Sequence, residues 1–136
     1  MNWVKYFVAG FVSTLLFHQG LMWALHAAGV SPIGAWSMAS TPPLGVPAVV
    51  SLAFWGGIWA LLLAPLLRRS RGAAWWAGWA ILGAIGPSAV ALLIVFPLKG
   101  MAFAGGWDPK LIIGALVIDA VWGLGAAVLL RVLRTR

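Results

Sequence analysis

The chain alternates between long apolar runs and short stretches where polar residues, glycine and proline gather. Four apolar runs stand out, at about residues 4–28, 46–67, 73–96 and 109–133. Read as α-helices, each is long enough to cross a hydrocarbon layer of roughly 30 Å. The expected fold is all-α. It is a polytopic membrane protein, a four-transmembrane-helix bundle, with residues 1–136 forming a single transmembrane domain.

Local signals set the ends of the runs. Asp108-Pro109 reads as an N-cap followed by proline at the first helical position, which starts the fourth helix. Pro43 and Pro47 bracket the start of the second. The sequence Arg68-Arg69-Ser70-Arg71-Gly72 is a tight polar turn, so the second and third helices are expected to form an antiparallel hairpin. The other connections, about 29–45 and 97–108, are longer and rich in glycine and proline. They carry Trp36, Met38, Met101, Phe103 and Trp107, which favours a position on the bilayer surface.

Composition agrees with this pattern. Of 136 residues, 63% are hydrophobic and 8% charged, whereas a water-soluble domain carries roughly a quarter of charged residues. Lipid must therefore be the solvent for most of the surface. The chain has no cysteine, which excludes disulfides, thiol catalysis and thiolate-bound metal.

The formal net charge of +7 does not point to nucleic acid, because the basic residues sit at the edges of the apolar runs. There they face lipid headgroups, so membrane lipids are the first expected partners. Lys5, Arg68, Arg69, Arg71, Arg131, Arg134 and Arg136 fall on one side of the membrane, and Lys99 and Lys110 on the other. Seven against two places both termini and the 68–72 turn in the cytoplasm, an N-in, C-in arrangement. The expected location is a bacterial inner (plasma) membrane. Tryptophans fit as interfacial anchors, with Trp3, Trp75, Trp76 and Trp79 near the inner interface and Trp23, Trp36 and Trp107 near the outer one. Ala27-Ala28-Gly29 loosely resembles a signal-peptide cleavage site. The 23 apolar residues 6–28 exceed a signal core of roughly 7–15, so a retained membrane helix is expected.

The candidate chemistry lies inside the membrane. His18 is thirteen residues past Lys5, and Asp119 is twelve residues before Arg131. These separations are roughly 20 and 18 Å along their helices. Both side chains thus lie near the midplane. A lone carboxylate in hydrocarbon is costly and must be protonated, wet or paired, and His18 is its natural partner. Gly10, Thr14 and His18 recur every four residues on the first helix, as Ala115, Asp119, Gly123 and Ala127 do on the fourth. Small residues at this spacing let helices approach closely. A Gly/Thr stripe facing an Ala/Gly stripe is expected to bring the pair together, with Gln19 and the Trp122 indole adding hydrogen bonds.

Pro87, flanked by Gly86 and Ser88, predicts a break in the third helix at similar depth, because proline cannot donate a backbone hydrogen bond to Gly83. The bland readings are an ordinary proline kink and a His–Asp pair that fixes helix order. The functional reading is an intramembrane polar site of His18, Asp119, Thr14, Gln19 and Ser88. Histidine titrates near neutral pH, and a neighbouring carboxylate can hold or pass a proton. His26 lies roughly 12 Å further toward the outer side, so the two histidines of one helix cannot ligate one haem iron. The spacing of donors gives no metal-ligand cluster, and neither a nucleophile–base pair nor a nucleotide loop is present. No cofactor and no enzymatic activity are expected.

By size and span number the chain is similar to the small multidrug resistance transporters and small fluoride channels, which work as dimers. The likeness covers architecture only. The central glutamate of the first helix of the former is absent, with His18 nearest in depth, and no functional residue carries over.

The leading expectation is a small transporter- or channel-like protein with a protonatable midplane site. Two alternatives stand beside it. One is a non-catalytic accessory or assembly subunit of a larger membrane complex, and the other a haem- or quinone-binding membrane protein. Small-residue stripes on the second helix (Gly56, Ala60, Ala64) and the third (Ala80, Ala84, Ser88) are expected to serve a homo-oligomer or partner membrane subunits.

Overall fold

The computed structural model describes residues 2–31, 34–41 and 44–134. Pro43, invoked for the start of the second helix, and Arg136, one of the seven basic residues, lie outside the described residues. Four helices are long and apolar enough to cross a membrane. They are α1 (Trp3–Ala27), α2 (Ala48–Leu67), α3 (Gly72–Leu98) and α4 (Pro109–Val132). Two short strands, β1 (Ser40–Thr41) and β2 (Val46–Pro47), pair antiparallel within the connection before α2.

The ends follow local chemistry. Asn2 accepts from the Lys5 N–H at 3.2 Å and starts α1, and Asp108 accepts from the Lys110 N–H at 3.0 Å and starts α4. Val46 and Pro47, expected inside the second helix, are extended instead. A residue before proline avoids helical backbone, and the Thr41 hydroxyl holds the Val46 carbonyl at 2.7 Å. The third helix, expected to stop at about residue 96, runs to Leu98. It passes Pro97 through a widened π turn, Ala91–Val95, just before the position where proline would crowd the preceding turn.

Glycine contacts set the packing. A Cβ on Gly10 of α1 would overlap the Gly56 carbonyl of α2, and one on Gly123 of α4 would overlap the Trp79 carbonyl of α3. The close pairs are therefore α1 with α2 and α3 with α4, and α1 also meets α4. The expected Gly/Thr stripe facing an Ala/Gly stripe is not formed. The α2 stripe is not left over for partners either, since Ala60 and Ala64 are fully buried inside the chain. Although a tight turn joins α2 and α3, they touch less than these pairs do.

Lys5 Nζ donates to the Leu133 carbonyl at 2.9 Å, which ties the start of α1 to the end of α4. Just inside this arginine-rich end lies the core, built on Tyr6, Leu63, Trp75, Trp79, Trp122 and Leu130. Trp75 and Trp79 were expected as interfacial anchors, but both are buried there. Gly83 and Gly123 let α3 and α4 close together, and the large indoles fill the space beside that contact. Trp3, Trp23, Trp36 and Trp107 remain exposed.

Candidate functional site

The site begins with an irregularity in α1. Residues Thr14–His18 form a π turn. The Gly10 carbonyl explains where it starts. It accepts the Thr14 backbone N–H, the Thr14 hydroxyl at 2.9 Å and the Trp122 indole N–H at 3.1 Å. A threonine hydroxyl bonded back one turn bends a helix. Beyond it, the Gln19 N–H bonds to Thr14 and Leu16 rather than to Leu15. The Leu15 carbonyl accepts the Trp36 indole N–H at 2.8 Å instead.

One extra residue in a turn rotates everything beyond it by roughly 100°, a single residue's share of the helix. Gly10 and Thr14 therefore face α2 while His18 faces α4, which is why the regular stripe is lost and the polar pair still meets. His18 Nε2 lies 3.4 Å from Asp119 Oδ1. From α3 the Ser88 hydroxyl donates to Asp119 Oδ2 at 2.7 Å. On the other side of the ring, Gln19 Nε2 lies 3.0 Å from His18 Nδ1. The Gln19 side-chain oxygen accepts the Trp36 backbone N–H at 2.8 Å.

Five residues on three helices and one loop thus form a single chain, from Ser88 through Asp119, His18 and Gln19 to Trp36. Its bonds fix proton positions. Because Gln19 Oε1 is occupied by a donor, the amide nitrogen faces His18, and an amide nitrogen only donates. His18 Nδ1 is then the acceptor, and the neutral ring carries its proton on Nε2, toward Asp119. The carboxylate is flanked by two donor groups, which offsets part of its cost of leaving water. His18 and Asp119 side chains are 18% and 13% exposed, so the pair is shielded without being sealed.

No protein-family model, curated protein or solved structure matches this chain. Chemistry must therefore be read from the residues themselves. Ser88, Gln19, His18 and Asp119 are brought together. Thr14 is not, since its hydroxyl is committed to Gly10. The Trp122 indole, expected to bond the polar pair, also turns to Gly10. Pro87 sits inside α3 without ending it, so the expected break is not formed there, and Ser88 follows it in the helix. His26 stands apart, with Nδ1 3.0 Å from the Ser31 carbonyl in an exposed position. Among the described residues no three His, Asp or Glu side chains gather into a metal-binding group.

Two contributors escape a reading of the sequence. Ser13, fully buried, donates to the Trp122 carbonyl at 2.7 Å and locks α1 to α4 one turn from the pair. Trp36 resembles any interfacial tryptophan in sequence. Its role depends on a left-handed backbone, φ 52°, which nothing in its neighbours announces.

Proposed function

We propose that the protein is a small, non-enzymatic, transporter- or channel-like membrane protein whose midplane site takes up and releases a proton at His18 and Asp119. The observation that carries this reading is the continuous polar chain at mid-depth, which ends on a docked loop. In the proposed cycle, a second proton reaches His18. It would sit on Nδ1, opposite the Gln19 amide hydrogens. Two donors cannot face each other, so the amide rotates to offer Oε1 to the ring. That rotation withdraws the acceptor from Trp36, and the loop before α2 loses its hold on α1. Around the ring, Asp119 of α4 is the titratable partner and Ser88 of α3 is neutral. Protonation is in this way coupled to opening one side of the site, as alternating access requires.

The orientation proposed with it puts both termini and the 68–72 turn in the cytoplasm of a bacterial cell, on the basic-residue bias. The chain lacks cysteine, so single replacements report position cleanly. A membrane-impermeant maleimide should label Ala102→Cys in intact cells and Ser70→Cys only after permeabilisation. The reverse pattern inverts the orientation.

Proteoliposomes test the function. Under an imposed pH gradient the native protein should pass protons, read by an entrapped pH dye. His18→Ala and Asp119→Asn proteins that fold normally should not. Equal flux through native and variant proteins would defeat the proposal, as would native flux no greater than that of empty vesicles.

A further inference from the structure

A second feature of the molecule lies far from the midplane pair, at the arginine-rich end. The N-terminal turn of α3 and the C-terminal turns of α4 enclose a cleft of about 180 Å³, lined by Arg71, Gly72, Trp75, Trp76 and Arg131. We infer that this cleft binds one phosphate ester, the headgroup of an anionic glycerophospholipid in the adjoining leaflet.

Each guanidinium group makes a contact that draws it to the cleft. Arg131 Cζ lies 5.8 Å from the centre of the Trp75 ring, and Trp75 is itself only 3% exposed. The ring gives the cation a fixed platform. Arg71 Nη1 donates to the carbonyls of Arg68 and Ser70 at 3.2 and 3.3 Å. This occupies one nitrogen and leaves the rest of the planar fork for a ligand. Two forks, one from the turn before α3 and one from α4, suit the oxygens of a phosphate group better than a single carboxylate.

Among the described residues the chain offers the cations at this end no internal carboxylate partner. The chain has two acidic side chains, Asp108 and Asp119. Asp108 caps α4 at the opposite end, and Asp119 is held at mid-depth by Ser88 and His18. Lys5, Arg68, Arg69, Arg71, Arg131 and Arg134 share this end, and among the described residues no carboxylate side chain faces them. A lipid is the source that fits, because the cleft opens where two membrane spans end and its floor is indole. A soluble phosphate would gain nothing from that floor.

Native mass spectrometry of delipidated protein, titrated with phosphatidylglycerol, phosphatidylcholine or inorganic phosphate, tests the assignment. One phosphatidylglycerol per chain should bind at least ten-fold more tightly than phosphatidylcholine, and equimolar inorganic phosphate should not displace it. Arg71→Gln/Arg131→Gln should lose that preference, whereas Arg69→Gln/Arg134→Gln, with the same net charge, should keep it. Arg71→Lys/Arg131→Lys keeps charge and fold but loses the planar forks, and should weaken binding several-fold. Equal loss in both glutamine pairs, no loss in the lysine pair, or equal retention of phosphatidylcholine would overturn the site. Displacement by inorganic phosphate would overturn the lipid as its ligand.

Discussion

Gln19 stands between His18 and the loop that follows α1, with its amide nitrogen 3.0 Å from His18 Nδ1. Its oxygen holds the Trp36 backbone N–H at 2.8 Å. One side chain therefore touches both the ring and the loop, the link that the proposed cycle uses. Gln19→Leu removes both bonds. A hydrogen bond of this kind contributes a net of about 1 kcal/mol, a factor of roughly five in opening. Amide exchange of residues 34–41 should quicken by about that factor, with α2 unchanged. Acidification should produce the same effect in the native protein, and not in His18→Leu compared at the same pH. Unchanged exchange in Gln19→Leu would remove Gln19 as the link.

Gly10 is the tightest point between α1 and α2. A methyl there would overlap the Gly56 carbonyl and lie 2.7 Å from the Ala60 Cβ. Backbone cannot yield as a flexible side chain can, so the helices must part, at about 1–3 kcal/mol. Alanine's better helix propensity returns at most about 1 kcal/mol. Gly10→Ala should therefore unfold at lower temperature in detergent. Gly20→Ala is the contrast, because nothing lies within 4 Å of that position, and it should be neutral or slightly stabilising. Equal tolerance of the two substitutions would contradict the packing.

Much of this was legible in the sequence. Hydropathy alone gives the four spans, since lipid admits few backbone solutions other than helices. The shared depth of His18 and Asp119 follows from near-equal counts inward from Lys5 and from the end of α4, and the contact between Lys5 and Leu133 is why that counting works. The faces were not legible. A stripe drawn at regular helical spacing assumes a regular helix, and the π turn at Thr14–His18 breaks that assumption inside the site. It starts at a three-donor carbonyl on Gly10, and one of those donors comes from α4, so the sequence of α1 alone does not announce it. The burial of Trp75 and Trp79 is hidden from the sequence for a similar reason. Composition places a tryptophan near an interface without saying whether it faces lipid or protein.

Ser88 and Asp119 offer an energetic test of the same site. Ser88→Ala removes the donor to Asp119 Oδ2 while His18 still faces Oδ1. Side-chain hydrogen bonds within membrane bundles contribute roughly 0.6–2 kcal/mol, so a loss in that range is expected in detergent unfolding. In a double-mutant cycle with Asp119→Asn the two costs should not add, and Ser88→Thr should recover most of the loss. Strictly additive costs would mean that the hydroxyl and the carboxylate do not interact.

The His18 ring lies between Gln19 and Asp119, where the proposed function has it take up a proton. Nitrogen-15 magnetic resonance of the histidine ring in lipid bilayers tests it most directly, with His26→Gln leaving His18 as the only histidine. A proton on Nε2 and a bare Nδ1 are expected in the neutral ring, and proton uptake at the proposed site should add the second proton on Nδ1 and weaken the hold on Trp36. A neutral ring protonated on Nδ1, or a ring that never takes up a second proton while the protein stays folded, would contradict it.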